Sequence, residues 1–399
     1  MPRLAVLVGC VLASLAALAG AAGAAESPYD LDVVLPLTGT AAFLGQSGQQ
    51  AIGLAETIIN RDGGVNGRPV RFVFHDDQTN PQVAVQLATQ IIARHPPLIL
   101  GSAVTAMCNA MAPLMRDGPV MYCFTPGIRP AQGGYVFSAT TPSDGLLETA
   151  IRYFHYRGWR RVGLITSTDA SGQDGEKAVD RAVGLPDLSD VKIVERAHFT
   201  PTAVSVAAEV ETVKAAHPDA VISWTTGTPM GTVFKGLIQA GMQDTPIVPS
   251  AGNLLYTFMK RFKDELPHHV YFSGGTGTAR GEGLKLAPGT VAAKKAYFDA
   301  FHTIDPNLYP DTGCEIVWDA TMIAVDALRH VGTDAPAGKV RDYIAHLKGY
   351  AGVSGVYDFE AYPQRGLGTK AAVMMSWNPD KTMFEAVSQP GGEPIAGNQ

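Results

Sequence analysis

The residue patterns in this chain that could make or break covalent bonds each fail on their context. Ser189-Asp-Val-Lys192 has the spacing of a serine nucleophile and its lysine base. That chemistry needs the serine at a helix start, whereas Val191 to Val194 reads as a strand. Gly275-Thr-Gly-Thr-Ala-Arg-Gly281 is glycine-rich but lacks the G-x-G-x-x-G spacing, and a loop rather than a helix follows it. Asp76 and Asp77 end an apparent strand, where alternation sends neighbouring side chains to opposite faces, so they make a poor acid–base pair. His268-His269 close a turn, and neither CxxC nor HExxH occurs. The expectation is no catalytic site, no metal and no cofactor. What remains is a set of loops rich in small hydroxylated residues: Gly101-Ser-Ala-Val-Thr105, Thr125-Pro-Gly-Ile-Arg129, Thr168-Asp-Ala-Ser-Gly-Gln173, Trp224-Thr-Thr-Gly-Thr-Pro-Met230 and Pro249-Ser-Ala-Gly-Asn253. Their chemistry is non-covalent recognition.

The elements that position these loops follow from periodicity. Leu31–Pro36, Val70–His75, Leu98–Leu100 and Val120–Phe124 read as strands. Gln49–Asn60, Gln82–Arg94 and Ala106–Met115 read as the intervening helices. After Thr140-Thr-Pro-Ser143 the rhythm restarts: helix 143–155, strand 161–165, helix 172–182, then the units 204–216/220–224 and 231–240/246–248. Strand–helix alternation with short links predicts an α/β fold whose mostly parallel sheets are covered on both faces, in two lobes. After Gly289 the chain turns mainly helical (290–302, 313–330, 338–347), and these helices are expected to return and complete the first lobe. Every chosen loop follows the carboxyl end of a strand, where open α/β sheets bind ligands.

Composition narrows the class further. A formal charge of −6 gives no basic footprint for nucleic acid, and 46% hydrophobic with 17% charged residues suits a well-packed globular protein. Residues 1–25 carry a short positive start, an apolar run from Leu4 to Ala19 and a small-residue stretch, the pattern of a cleaved secretory signal. A rival reading takes Leu7-Val-Gly-Cys10 as a lipoprotein box. The remaining length of about 370 residues predicts two domains. Cys108 and Cys123, fifteen residues apart, would form a disulfide in an exported protein or stay as two buried thiols; Cys314 is left over.

Several strings resemble one family in its own order along the chain. Leu35-Pro-Leu-Thr-Gly39, Phe43-Leu-Gly45 and Ile59-Asn-Arg-Asp-Gly-Gly-Val-Asn-Gly67 resemble the opening of type I periplasmic binding proteins of the leucine/isoleucine/valine-binding family. His75-Asp-Asp-Gln-Thr-Asn-Pro81, Gly172-Gln-Asp-Gly175, Ala215-Ala-His-Pro-Asp-Ala220 and Tyr357-Asp-Phe359 continue the match. The resemblance implies two Rossmann-like lobes joined by three hinge crossings, a Venus-flytrap, with ligand held between them. Lobe one would be 26–142 plus 276–353 and lobe two 143–275 plus 354–399, with crossings near Thr140, Gly274 and Ser354. It also implies a monomer in the periplasm, serving an ABC transporter permease.

On that frame the ligand contacts are expected from Phe43 and Leu44; Ser102, Ala103, Val104 and Thr105; Thr125, Gly127 and Arg129; Asp169, Ser171 and Gln173; Thr226, Thr228 and Pro229; and Ser250 and Ala251. In amino-acid-binding relatives a threonine near the position of Arg129 helps hold the ligand's ammonium and carboxylate, and a glutamate where Ser250 or Ala251 stands pairs with the ammonium. Here a cation stands at the first position and no acid at the second. An arginine could grip a carboxylate with two parallel bonds and would repel an ammonium. The expected ligand is therefore a carboxylate without an α-amino group. Aromatic monocarboxylates rank first (a benzoate, phenylpropenoate or arylpyruvate), because the Thr-Gly-Thr-Pro and Ser-Gly-Gln-Asp-Gly strings resemble the aromatic-acid-binding branch. Branched aliphatic or keto acids rank second and amino acids third. A periplasmic sensor for a membrane receptor is the rival role.

Overall fold

Two parallel sheets organise the chain. The computed structural model describes residues 27–138 and 140–396, so the expected signal segment and Cys10 lie outside the described residues. The first sheet joins β1 (Tyr29–Leu35), β2 (Val70–Asp76), β3 (Leu98–Gly101), β4 (Val120–Cys123) and β5 (Val136–Ser138) in the order β2-β1-β3-β4-β5. Val33 lies opposite Leu100, and Leu98 opposite Val120, all pairings being parallel. The last five residues of β1 are all buried, as a strand covered on both faces requires. Helices α1 (Ala42–Arg61), α2 (Pro81–Ile92) and α3 (Thr105–Met111) provide the cover. Asn80 caps α2 by accepting from the Gln82 amide at 2.9 Å, with Pro81 in the first turn.

The second sheet repeats the plan with α4 (Ser143–Arg157), β6 (Arg161–Ser167), α5 (Ala170–Val183), β7 (Lys192–Phe199), α6 (Ala207–Ala215), β8 (Ala220–Trp224), α7 (Pro229–Gln239) and β9 (Ile247–Pro249). Its order is β7-β6-β8-β9. Gly158, at φ +77°, ends α4 in the left-handed conformation that glycine tolerates.

Helix α8 (Tyr256–Arg261) and β10 (Tyr271–Gly274) lead into α9 (Pro288–His302), α10 (Thr312–Val331) and α11 (Ala337–Ala345). Helix α10 runs along α1, in the first lobe. A Cβ on Gly48 would meet Val317 at 3.1 Å and one on Gly313 would meet Ser47 at 2.6 Å, so two glycines let the helices close on each other. A hairpin, β11 (Lys348–Ala351) and β12 (Val356–Asp358), precedes β13 (Val373–Asn378) and β14 (Met383–Ala386). Strands β10, β13 and β14 form a small antiparallel sheet, and Met374 of β13 enters the same core as Leu164 and Ile222 of the second sheet. The chain thus returns to both lobes.

Two expectations change. Helix α1 begins at Ala42 rather than Gln49, because Gly45 and Gly48 lower local helix propensity yet are demanded by packing: a Cβ on Gly45 would sit 2.1 Å from the Pro36 carbonyl oxygen. The antiparallel sheet at 271–274 and 373–386 was not anticipated, its strands being short. Cys108 and Cys123 are joined as a disulfide that ties α3 to the end of β4, and Cys314 is buried and free. No helix among the described residues is long and apolar enough to cross a membrane.

Candidate functional site

Both sheets reverse their strand order once, between β1 and β3 and between β6 and β8. Loops diverge at such points and leave a crevice beyond the carboxyl ends of the strands. Here the two crevices face each other and share one cavity. The first sheet contributes Leu44 after β1, Ala103, Val104 and Thr105 after β3, and Thr125, Pro126 and Gly127 after β4. The second contributes Ser171 after β6, Trp224 and Thr226 around the end of β8, and Ser250, Ala251 and Gly252 after β9. Thr140, Thr141, Gly274, Gly275 and Ser354 border it, as do Ser143 and Leu146 of α4, Asp174 of α5, and Thr312, Glu315 and Ile316 of α10. The space it encloses, its opening to solvent included, is about 710 Å³.

Of the residues expected to meet ligand, Leu44, Ala103, Val104, Thr105, Thr125, Gly127, Ser171, Thr226, Ser250 and Ala251 line this cavity. Hydroxyls pair within each side of it: Thr105 with Thr125 at 2.8 Å on the first, and Ser171 with Thr226 at 3.1 Å on the second. The others do not line it. Phe43 turns its ring edge-on to Phe258 at 6.3 Å. Ser102 is buried and donates to Asp77 at 2.6 Å, and burial raises the Asp77 carboxyl to about 6 despite that bond. Asp169 caps α5 through the Gly172 amide at 3.0 Å, and Gln173 donates back to the Thr168 carbonyl. Thr228 and Pro229 start α7, the Thr228 amide donating to the Thr40 carbonyl, and Met230 is buried in the core.

Arg129 is the main correction. Its guanidinium spans from the loop after β4 to helices of the second lobe, donating to both oxygens of Asp144 at 2.9 and 3.0 Å and to Asp174 Oδ1 at 2.8 Å. Arg181 donates to the same Asp144. The hydrogen bonds to Asp144 hold the Arg129 cation firmly protonated. Burial works against the Asp144 carboxylate, but the bonds from Arg129 and Arg181 together keep it below the usual range. The expected carboxylate grip is therefore occupied by the protein's own acids. The case against an ammonium on the ligand loses one of its two premises.

Sequence reasoning missed the charged lining. Among the described residues, Asp174 and Glu315 are the only charged side chains on the cavity wall. Glu315 is satisfied by the amides of Gly277 and Thr278 at 2.9 and 2.8 Å and by the hydroxyls of Thr278 and Ser354 at 2.7 and 2.8 Å. Asp174 Oδ2, Thr141 Oγ1 and Ser143 Oγ are buried with no hydrogen-bond partner among the described residues. Asp174 was within reach of the sequence: it stands three residues after Ser171, hence on the same helix face. Glu315 was not, because α10 arrives from a distant segment.

A second cation lies behind the wall. Arg365 donates to the carbonyls of Pro126 and Thr140 at 3.0 and 3.4 Å, to that of Ile128, and to Ser138 Oγ. Burial lowers its pKa to about 10. In a trans peptide the N–H points opposite to its C=O. The Gly127 amide, on the far side of the Pro126 carbonyl, donates to Thr125 Oγ1 at 3.3 Å, and both Gly127 and Thr141 line the cavity. Arg365 is thus a buried cation behind a wall whose own charged side chains, Asp174 and Glu315, are acidic.

The comparisons with known proteins agree with this architecture. A protein of Brucella melitensis named Leu/Ile/Val-binding protein homolog 3 is 24% identical over 236 residues, 57% of this chain and 62% of that protein, so the match spans under two thirds of its length. An extracellular ligand-binding receptor from Rhodopseudomonas palustris superposes with a TM-score of 0.79 at 19% identity, covering 90% of this chain and all of that one. A solute-binding protein of an ABC transporter from R. palustris, in complex with benzoate, gives 0.71 at 15% identity over 93% and 98% of the two chains. At these identities the structures speak for the fold alone. The sequence model described as "Periplasmic binding protein" matches residues 32–382, nearly the whole described chain, and the protein belongs to that family.

Proposed function

We propose that this protein is the solute-binding component of an ABC importer, which captures a small organic acid between its lobes and presents the closed form to a membrane permease. The observation that carries the reading is the cavity at both switch points, walled by the hydroxyls of Thr105, Thr125, Ser171 and Thr226, with the Arg365 cation held behind it on the Pro126 and Thr140 carbonyls. Those groups bind an anion and perform no bond chemistry. The cavity has room for one aromatic ring or one branched chain with its carboxylate. Trp224, Leu146, Val104 and Ile316 supply the apolar walls such a body needs. An aromatic monocarboxylate remains the first choice, and the benzoate-bound fold relative is consistent with it.

The division proposed is 26–142 plus 276–353 for one lobe and 143–275 plus 354–399 for the other, in a periplasmic protein with residues 1–25 removed. Ligand meets one lobe, the other closes, and the equilibrium shifts by the ligand's preference for the closed form. Arg129, reaching Asp144 and Asp174 across the gap, stabilises that form. A second reading, amino-acid binding, is favoured by the unpaired Asp174 oxygen and by the name of the Brucella relative. Thermal unfolding of the purified protein against a panel of aromatic, aliphatic and amino acids tests the proposal. A melting shift with at least one small organic acid is expected; none with any acid in the panel overturns it.

A further inference from the structure

We infer that the ligand carries a hydrogen-bond-donating group, a hydroxyl or an ammonium, besides its carboxylate, and that Asp174 with Thr141 and Ser143 receives it. The inference rests on the reading of the cavity as a carboxylate site and adds its selectivity. Asp174 is 8% exposed. Its Oδ1 is held by Arg129 at 2.8 Å, while Oδ2 has no partner among the described residues and lies on the cavity wall. Thr141 Oγ1 and Ser143 Oγ, of residues that line the same cavity, are equally unpaired among the described residues. A Cβ on Gly127 would come within 3.1 Å of Asp174 Oδ2 and 2.4 Å of Thr105 Oγ1. The free oxygen therefore lies close to Gly127, where first-lobe and second-lobe groups meet.

An acid bearing only a carboxylate leaves this acceptor unpaired and brings a second negative charge toward it. An acid with a donor fills it. Sites built to receive a hydrogen bond discriminate steeply against analogues that lack the group, because their own buried polar atoms are then stranded. Asp174 is thus a specificity residue, not part of the carboxylate anchor.

The test is calorimetric titration with matched pairs differing only in the donor: benzoate against 4-hydroxybenzoate, 3-phenylpropionate against phenylalanine, 4-methylvalerate against leucine. In at least one pair the donor-bearing member should bind on the order of 100-fold tighter, and the pair concerned tells hydroxyl from ammonium. Asp174→Asn, checked for folding by its melting curve, should cut that ratio below about tenfold, and Ser143→Ala should lower it without altering charge. Arg129→Gln, which leaves Asp174 in place, should weaken both members alike. Equal affinities within every pair, or an Asp174→Asn ratio like the wild type's, overturn the inference while the carboxylate site stands. Absence of binding by all six acids removes the underlying reading instead.

Discussion

Replacing Arg129 with alanine removes the one guanidinium that reaches Asp144 and Asp174 together. Asp144 keeps Arg181, so its loss is small. Asp174 is different: its side chain is 9% exposed, and among the described residues its one ion-pair partner is Arg129, itself 46% exposed. Stripping a buried carboxylate of its partner costs about 3–5 kcal/mol, whereas fully exposed pairs are worth under about 1 kcal/mol. A half-exposed arginine on a buried acid falls between, near 2 kcal/mol. If the pair forms only on closure, that energy comes entirely from the closed state, and every ligand loses about 30-fold in affinity. Titration of Arg129→Ala with whichever acid shifts the wild-type melt should show this uniform loss, and small-angle scattering should show a larger particle at the same ligand concentration. Affinity within about threefold of wild type, with unchanged scattering, would refute the reasoning. So would a loss confined to one ligand, since that would make Arg129 a direct contact.

Three further outcomes follow from particular contacts. Cys123→Ser, or reduction, should lower stability by about 3 kcal/mol, the value for a loop of this length, and the melting temperature by about 6–12 °C; an unchanged calorimetric melt would contradict it. Burial raises the Asp319 carboxyl to about 6 against the bonds from the Ser354 and Val353 amides. The folded state then holds more protons than the unfolded one between about pH 4 and 6, so stability declines as pH rises through that window, and Asp319→Asn should flatten the slope measured by urea unfolding. Gly127→Ala places a methyl 2.4 Å from Thr105 Oγ1 and should weaken acid binding at least about tenfold in titration while moving the melt by under about 3 °C.

The sequence carried the architecture wherever a physical rule acts locally. Ala220–Trp224 reads as a strand to the residue because five buried apolar-rich positions sit between turn signals. The loops after β3, β4, β6, β8 and β9 were legible because strand ends at switch points collect ligands in this kind of sheet. Arg129 was misjudged for an equally physical reason: a loop cation near a cleft looks like an anchor until the acids of another lobe are seen beside it. Glu315 and Arg365 were beyond reach, since only tertiary folding brings α10 and the segment before β13 behind the cleft.

On the proposed function, a small organic acid sits between the two sheets. The most direct measurement is a crystal structure with the tightest-binding acid of the panel. Density is expected between Thr105, Thr125 and Gly127 on one side and Ser171, Asp174 and Thr226 on the other, with the carboxylate toward the first side. Ligand density outside this gap, or a carboxylate seated on Arg129 with Asp174 turned away, would contradict it.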